Sequence, residues 1–232
     1  MLEQSADENT NNTVSRPLDR EWAIILAGGD GTRLKSLTRK IAGDERPKQF
    51  CSVLGRATLL EETQRRAALE LPEERTLYIV NQAHEPFYAP ILADKRPANL
   101  VVQPRNAGTA PAILYGLLRI AAADPQAGVA LFPSDHYISD NRKFMNHIRT
   151  ALDTARVRRD IVILLGVEPE SPEVEYGWIE PTLPAKGNAK VSGVRPFLGK
   201  AQPSLSPSPA TTRLPVEQFR YGRLGAGATR YH

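Results

Sequence analysis

Cysteine is almost absent from this 232-residue chain: Cys51 stands alone, so no intrachain disulfide can form and a reducing compartment is compatible. A small buried filler is the expected role of that thiol. No apolar run is long enough to span a bilayer. The segment from Met1 to about Arg20 is polar, rich in Asn, Asp and Glu, and lacks the apolar centre of a secretory signal. These absences point away from a membrane partner and make the cytoplasm the expected location, with residues 1–20 as a disordered arm. Aromatic residues are also scarce, at 6%. The net charge of +4 and the pI near 9.3 therefore do not indicate nucleic acid, because the basic residues are scattered among acids with no aromatic-interleaved basic patch. An anionic small substrate fits that charge equally well.

A hydrophobic content of 41% and a charged content of 24% are those of an ordinary globule, and the length suits one α/β domain with a substantial core. Trp22–Ala27, Thr76–Val80, Asn99–Val102, Gly128–Phe132 and Asp160–Gly166 read as five buried strands. Between them, Thr58-x-x-Glu61 is a capping box opening a helix with Leu59, Leu60, Thr63, Ala67 and Leu71 in period. A short helical piece over His84–Ala93 is expected to be interrupted by Pro86 and Pro90. Further helices are expected with Pro111 in the first turn, running through Ile113, Leu114, Leu117, Leu118 and Ala121, and after Asp140, the latter presenting Phe144, Ile148, Leu152 and Ala155 inward. Lys35–Glu45 is expected as an exposed, mobile segment. Alternating strands and helices at this spacing predict a mostly parallel sheet with helices on both faces. No internal repeat is evident.

The first strand stops at a glycine cluster, Gly28-Gly29-Asp30-Gly31-Thr32-Arg33-Leu34, and Arg46-Pro47-Lys48-Gln49-Phe50 follows. Two familiar phosphate motifs are missing. A dinucleotide fingerprint needs a third glycine where Leu34 stands, and a Walker loop needs Gly-Lys-Ser/Thr, which Gly31-Thr32-Arg33 does not supply. Three glycines in four positions nevertheless let backbone N–H groups converge on a phosphate, provided Gly29 and Gly31 take angles closed to other residues. Arg33 and Lys48 add cations for a polyphosphate.

Open α/β sheets gather ligands outside the carboxyl ends of their strands, which brings in two more loops. Pro133-Ser134-Asp135-His136 offers Asp135 as a Mg²⁺ ligand or as a turn residue bonding its own backbone. Gln103-Pro104-Arg105-Asn106-Ala107-Gly108-Thr109-Ala110-Pro111 reads as a helix N-terminus with Thr109 as cap and Pro111 in the first turn. Glu175-Tyr176-Gly177-Trp178-Ile179-Glu180 is a strand entry at a glycine.

In this order the motifs resemble those of the sugar-nucleotide pyrophosphorylases: G-G-x-G-T-R-L followed by P-K, then a segment ending in T-A-P, then P-A-D-H and Y-G-Y-I. The Pro47-Lys48-Gln49-Phe50 ending is most similar to the mannose-1-phosphate guanylyltransferase branch. The resemblance covers Trp22 to about Val194. It implies a Rossmann-like nucleotide-diphospho-sugar-transferase fold, an α/β three-layer sandwich. It also implies guanylyl transfer from GTP to mannose 1-phosphate with Mg²⁺. Nucleotide would be bound by Leu26, Ala27, Gly28, Gly29, Gly31, Thr32, Arg33, Asn106, Thr109 and Asp135, with Arg33 and Lys48 catalytic, Asp135 on the metal and Gly177 approaching the sugar. The family commonly carries an arginine after the asparagine of the T-A-P segment; here Ala107 follows Asn106 and Arg105 precedes it. His136 is expected to be structural, since the attacking phosphate monoester is already ionised. Alternatives are another acceptor, such as a different hexose 1-phosphate or a pterin, and a nucleotide-binding remnant without catalysis.

After Arg195 the texture changes to a Pro/Ser-rich stretch with Pro196, Pro203, Pro207, Pro209 and Pro215, and neither helical nor strand periodicity continues. Residues 21–195 are thus the expected domain and 196–232 a disordered tail. Codons for Phe197–Pro203 exist that, one base later, give Phe-Trp-Glu-Lys-Pro-Ser. Codons for Pro215–Arg223 in the same offset give Leu-Trp-Asn-Ser-Phe-Val-Met-Val-Gly. Both resemble family motifs, so a frame-shifted tail is expected. The C-terminal part of the domain would then be lost, with the family's sugar-phosphate lysine and a later metal carboxylate.

Overall fold

The computed structural model describes residues 20–53, 55, 57–167, 179, 182, 191–194 and 221–222. Four of the five expected strands form: β1 (Glu21–Leu26), β2 (Thr76–Asn81), β3 (Leu100–Gln103) and β4 (Gly128–Pro133). They pair in the order β3-β2-β1-β4, every pair parallel. β-Branched runs suit such strands because both faces of the sheet are covered. Successive residues therefore point to opposite cores: Ile24, Leu77, Ile79 and Val101 to one, Ala23, Ile25, Tyr78 and Val80 to the other.

α4 (Thr109–Ala123) covers the first of these faces through Ala112, Gly116 and Ile120. Gly116 lets it lie close, since a Cβ there would stand 2.9 Å from the Cδ1 atoms of Ile24 and Ile79. The second face receives α2 (Leu59–Ala67), α3 (Glu85–Leu92) and α5 (Asn141–Val157). The Thr58 and Glu61 side chains form the capping box of α2, and Asp140 caps α5 by accepting from Lys143 N–H. α5 buries Phe144, Ile148 and Leu152 as expected, together with Met145; Ala155 is only partly covered.

Several expectations are corrected. Lys35–Ala42 is a helix, α1, because Leu34, Leu37, Thr38 and Ile41 recur at helical spacing; Gly43 ends it at φ +79°. α3 runs through its prolines: Pro86 stands in the first turn, where its missing N–H is no loss, and Pro90 forfeits one bond without ending the helix. The cap of α4 is Gly108, at φ +94°, rather than Thr109, whose residue is already helical. The expected fifth strand, Asp160–Gly166, does not form. Val162 is 88% exposed, and Leu164, Leu165 and Val167 are uncovered as well. Apolar character favours burial, but a strand also needs a partner edge for its N–H and C=O groups. A two-residue ladder pairs β5 (Tyr137–Ile138) with β6 (Tyr221–Gly222); the rest of the 196–232 tail and the arm before Arg20 lie outside the described residues.

Candidate active site

At the carboxyl end of the sheet, the chain crosses from β3 to the far side of β1, so β1 and β4 diverge into separate loops at a topological switch point. Ser134 holds this point together: its Oγ donates to the Leu26 carbonyl at 2.6 Å and its N–H to the same oxygen at 3.2 Å. Asp135 is thereby presented just beyond β4. Lys48, in the 3-10 turn Lys48–Phe50, is nearly buried, and its Nζ lies 3.0 Å from Asp135 Oδ2. The loops that follow β1 and β4 therefore meet in an ion pair. His136 Nε2 approaches the other carboxylate oxygen at 3.5 Å. The Asp135 side chain stays 39% exposed, open to a ligand.

The glycine loop is braced from below. Gln49, 3% exposed, donates its amide to the carbonyls of Ala27 (3.1 Å) and Gly29 (2.8 Å). Gly31 adopts φ +58°, and a Cβ there would press on Lys48 N and Pro47 Cα at 3.3 Å. Gly28 admits the Gln103 side chain, whose Oε1 would stand 3.0 Å from a Cβ. Gly29 departs from expectation: it has no positive φ, and a Cβ would meet nothing within 4 Å. Thr32 and Arg33 lie in the 3-10 turn that leads into α1; the Arg33 side chain and Gly177 lie outside what is described.

The segment after β3 joins the same edge. Asn106 donates Nδ2 to Asp30 Oδ2 at 2.8 Å and accepts the Gly108 N–H at 2.9 Å. Thr109 starts α4 beside it with no side-chain cap bond. Asp30 Oδ1 lies 3.3 Å from Nε2 of His84, which follows β2; burial holds that imidazole below its ordinary pKa against the pull of Asp30. Leu26, Ala27, Gly28, Gly29, Gly31, Lys48, Asn106 and Asp135 are thus gathered at one end of the sheet. Sequence reasoning missed the roles of Gln49, Asp30, Ser134 and His84. Gln49 and Asp30 lay inside motifs already singled out, and Ser134 inside Pro133–His136, so position was the available signal. His84 offered none. Cys51 is buried, its thiol pushed up by burial.

Among the described residues, no three His, Cys, Asp or Glu side chains cluster as a metal cage. A cation needing one or two carboxylates plus substrate phosphates still fits Asp135. No described helix is long and apolar enough to cross a membrane.

The chain is similar to known proteins. The chain is 31% identical over 182 residues to the alginate biosynthesis protein AlgA of Pseudomonas aeruginosa, covering 76% of this chain and 36% of that protein. It is 31% identical over 183 residues to a mannose-1-phosphate guanylyltransferase of Escherichia coli, covering 76% and 38%. A Thermus thermophilus crystal structure named mannose-1-phosphate geranyltransferase superposes with a TM-score of 0.66 at 31% identity, covering 82% of this chain and 51% of that one. The chain thus spans little more than a third of the length of these curated relatives. The sequence profile of the nucleotidyl transferase family matches residues 22–198, and with the glycine loop, the Lys48–Asp135 pair and the parallel sheet in place, the chain belongs to that family.

Proposed function

We propose that the chain transfers a guanylyl group from GTP to mannose 1-phosphate, giving GDP-mannose and diphosphate, in the cytoplasm. A phosphate oxygen of the sugar phosphate attacks the α-phosphorus in line, the bond to the β-phosphate bridging oxygen breaks, and diphosphate leaves. The attacking oxygen is already ionised, so positioning and charge stabilisation carry the catalysis. The glycine-loop amides and Arg33 would hold the triphosphate, Lys48 would neutralise charge at the reacting phosphate, and Asn106 and Thr109 would address the nucleoside. Asp135 would hold Mg²⁺, whose contribution is to reduce repulsion between the two phosphate substrates. Gly177 would admit the sugar.

The observation that carries this reading is the 3.0 Å pair between Lys48 and Asp135. It brings a cation and a carboxylate from two separate motifs to the switch point, where an open α/β sheet binds ligands. The test is 31P NMR of the full chain with Mg²⁺, each nucleoside triphosphate in turn, and mannose, glucose or galactose 1-phosphate or a molybdopterin as acceptor. GDP-mannose and diphosphate should appear fastest from GTP and mannose 1-phosphate. Faster product from another pair would reassign the substrate.

A nucleotide-binding protein without turnover is the second reading. One observation favours it: the family match stops at residue 198, inside the Pro/Ser-rich stretch for which codons exist that give motif-like residues in an offset frame. GTP retained in equilibrium dialysis without diphosphate release would support it. The gene decides the frameshift, since codons that fail to give those motifs one base later remove it.

A further inference from the structure

Asp30 is the one acidic residue of the glycine loop, an unexpected charge beside a proposed triphosphate nest. Its carboxylate is spoken for on both sides. Oδ1 faces His84 Nε2 at 3.3 Å, and Oδ2 accepts from Asn106 Nδ2 at 2.8 Å. The His84 side is rigid. Asn81 accepts the Ala83 N–H and so fixes the turn after β2, Phe50 packs edge-on against the imidazole, and His84 is buried. Among the described residues its Nδ1 is buried with no protein partner, and Nε2 is the ring nitrogen that faces Asp30. The loop bearing Asp30 is equally fixed, between the Gln49-braced Gly29 and the left-handed Gly31.

The Asn106 side, in contrast, is an exposed segment. Its amide is oriented by two bonds of opposite sense, Nδ2 toward the carboxylate and Oδ1 toward Gly108 N–H. Turning the amide over would place oxygen against carboxylate and N–H against N–H.

We propose that Asp30 is a positioning residue: anchored by His84, it latches Asn106 across the site and so sets the orientation in which that amide meets the nucleoside. The inference rests on the nucleotide-binding reading above and adds a device to it. Simple charge predicts that removing a carboxylate beside a phosphate nest tightens anion binding. The latch predicts the opposite sign for GTP alone.

The test measures dissociation constants of the full chain for GTP and for inorganic triphosphate, with an unfolding curve for each variant. Asp30→Ala should weaken GTP by about tenfold or more, the loss of an oriented polar contact, while triphosphate binds equally or more tightly. His84→Leu should weaken GTP in the same direction, and His84→Gln, which restores an N–H donor, should recover much of the loss. Tighter GTP in Asp30→Ala would reduce Asp30 to a bystander charge and overturn the latch. Parallel weakening of GTP and triphosphate would make it a loop support only, again overturning it. If the parent chain binds no GTP, the nucleotide reading fails separately, and hydrogen exchange at the Gly108 amide decides the latch: faster exchange in Asp30→Ala supports it, and unchanged exchange overturns it.

Discussion

On the face of the sheet beneath α2, α3 and α5, eighteen described residues form one buried apolar cluster; on the α4 face, six do. The thick side includes Phe132, Phe144, Tyr78 and Tyr88, and it reaches up to the site through Ala27, Phe50 and Ile138. Among the described residues, the thin side rests on one helix, α4. That helix is apolar on its outer face too, where Leu114, Tyr115, Leu117 and Leu118 are exposed. The site inherits the difference. Lys48, Gln49 and Ser134, anchored to the thick side, are buried and fixed, while Asn106 and Thr109, which lead into α4, are exposed and held by a few hydrogen bonds. The half proposed to handle phosphate is built on a deep core and so is pre-organised, whereas the half proposed to read the nucleoside depends on individual contacts.

The comparison breaks first, if it breaks, in the two cores. Phe132→Ala should cost about 3–5 kcal/mol in urea unfolding, and Ile120→Ala on the thin side should fall near the bottom of the ~2–5 kcal/mol range. Equal losses would mean that the faces are energetically alike. Next, Lys48→Ala should raise the transition-state barrier by about 2.7–4 kcal/mol in kcat/KM, as removal of an electrostatic stabiliser does. Thr109→Ala, at the exposed half and without a cap bond, should stay within about 0.5 kcal/mol in stability.

Within the glycine loop the contrast narrows to two residues. Gly31→Val forces a β-branched side chain to φ +58° against Pro47 and Lys48, and should cost about 1–3 kcal/mol of stability with loss of GTP binding. Gly29→Ala enters open space and should leave the unfolding midpoint nearly unchanged. An intact GTP affinity in a folded Gly31→Val protein would remove the phosphate nest. Smallest of all, Leu118→Ser on the outer face of α4, 61% exposed, should change stability by no more than about 0.5 kcal/mol while reducing light scattering on concentration. A large loss there would show that the outer face is covered after all.

Much of the scaffold was legible beforehand, because period and punctuation are local properties. Trp22–Ala27, Thr76–Val80 and Gly128–Phe132 are apolar runs that stop at loop residues, and the observed strands match them to within a residue or so. The capping box at Thr58 and the cap at Asp140 are likewise written in four consecutive residues each. Where the chain misled, a local signal met a non-local requirement. Ile161–Val167 has a strand's composition but no paired edge, and Lys35–Ala42 looked like loop because its helical stripe is short and its charges many.

By itself, then, the sequence determined most of the element types, the alternation that makes a parallel sheet, and the motifs that carry the glycine loop, Lys48 and Asp135. These depend on neighbours a few residues apart, so a linear reading reaches them. Only the tertiary structure decided that β1 lies between β2 and β4, bringing Lys48 against Asp135, and that His84, Asp30 and Asn106 line up across three loops. Those contacts join residues far apart in the chain, and their energy exists only once sheet order and the buried faces have fixed where each loop emerges.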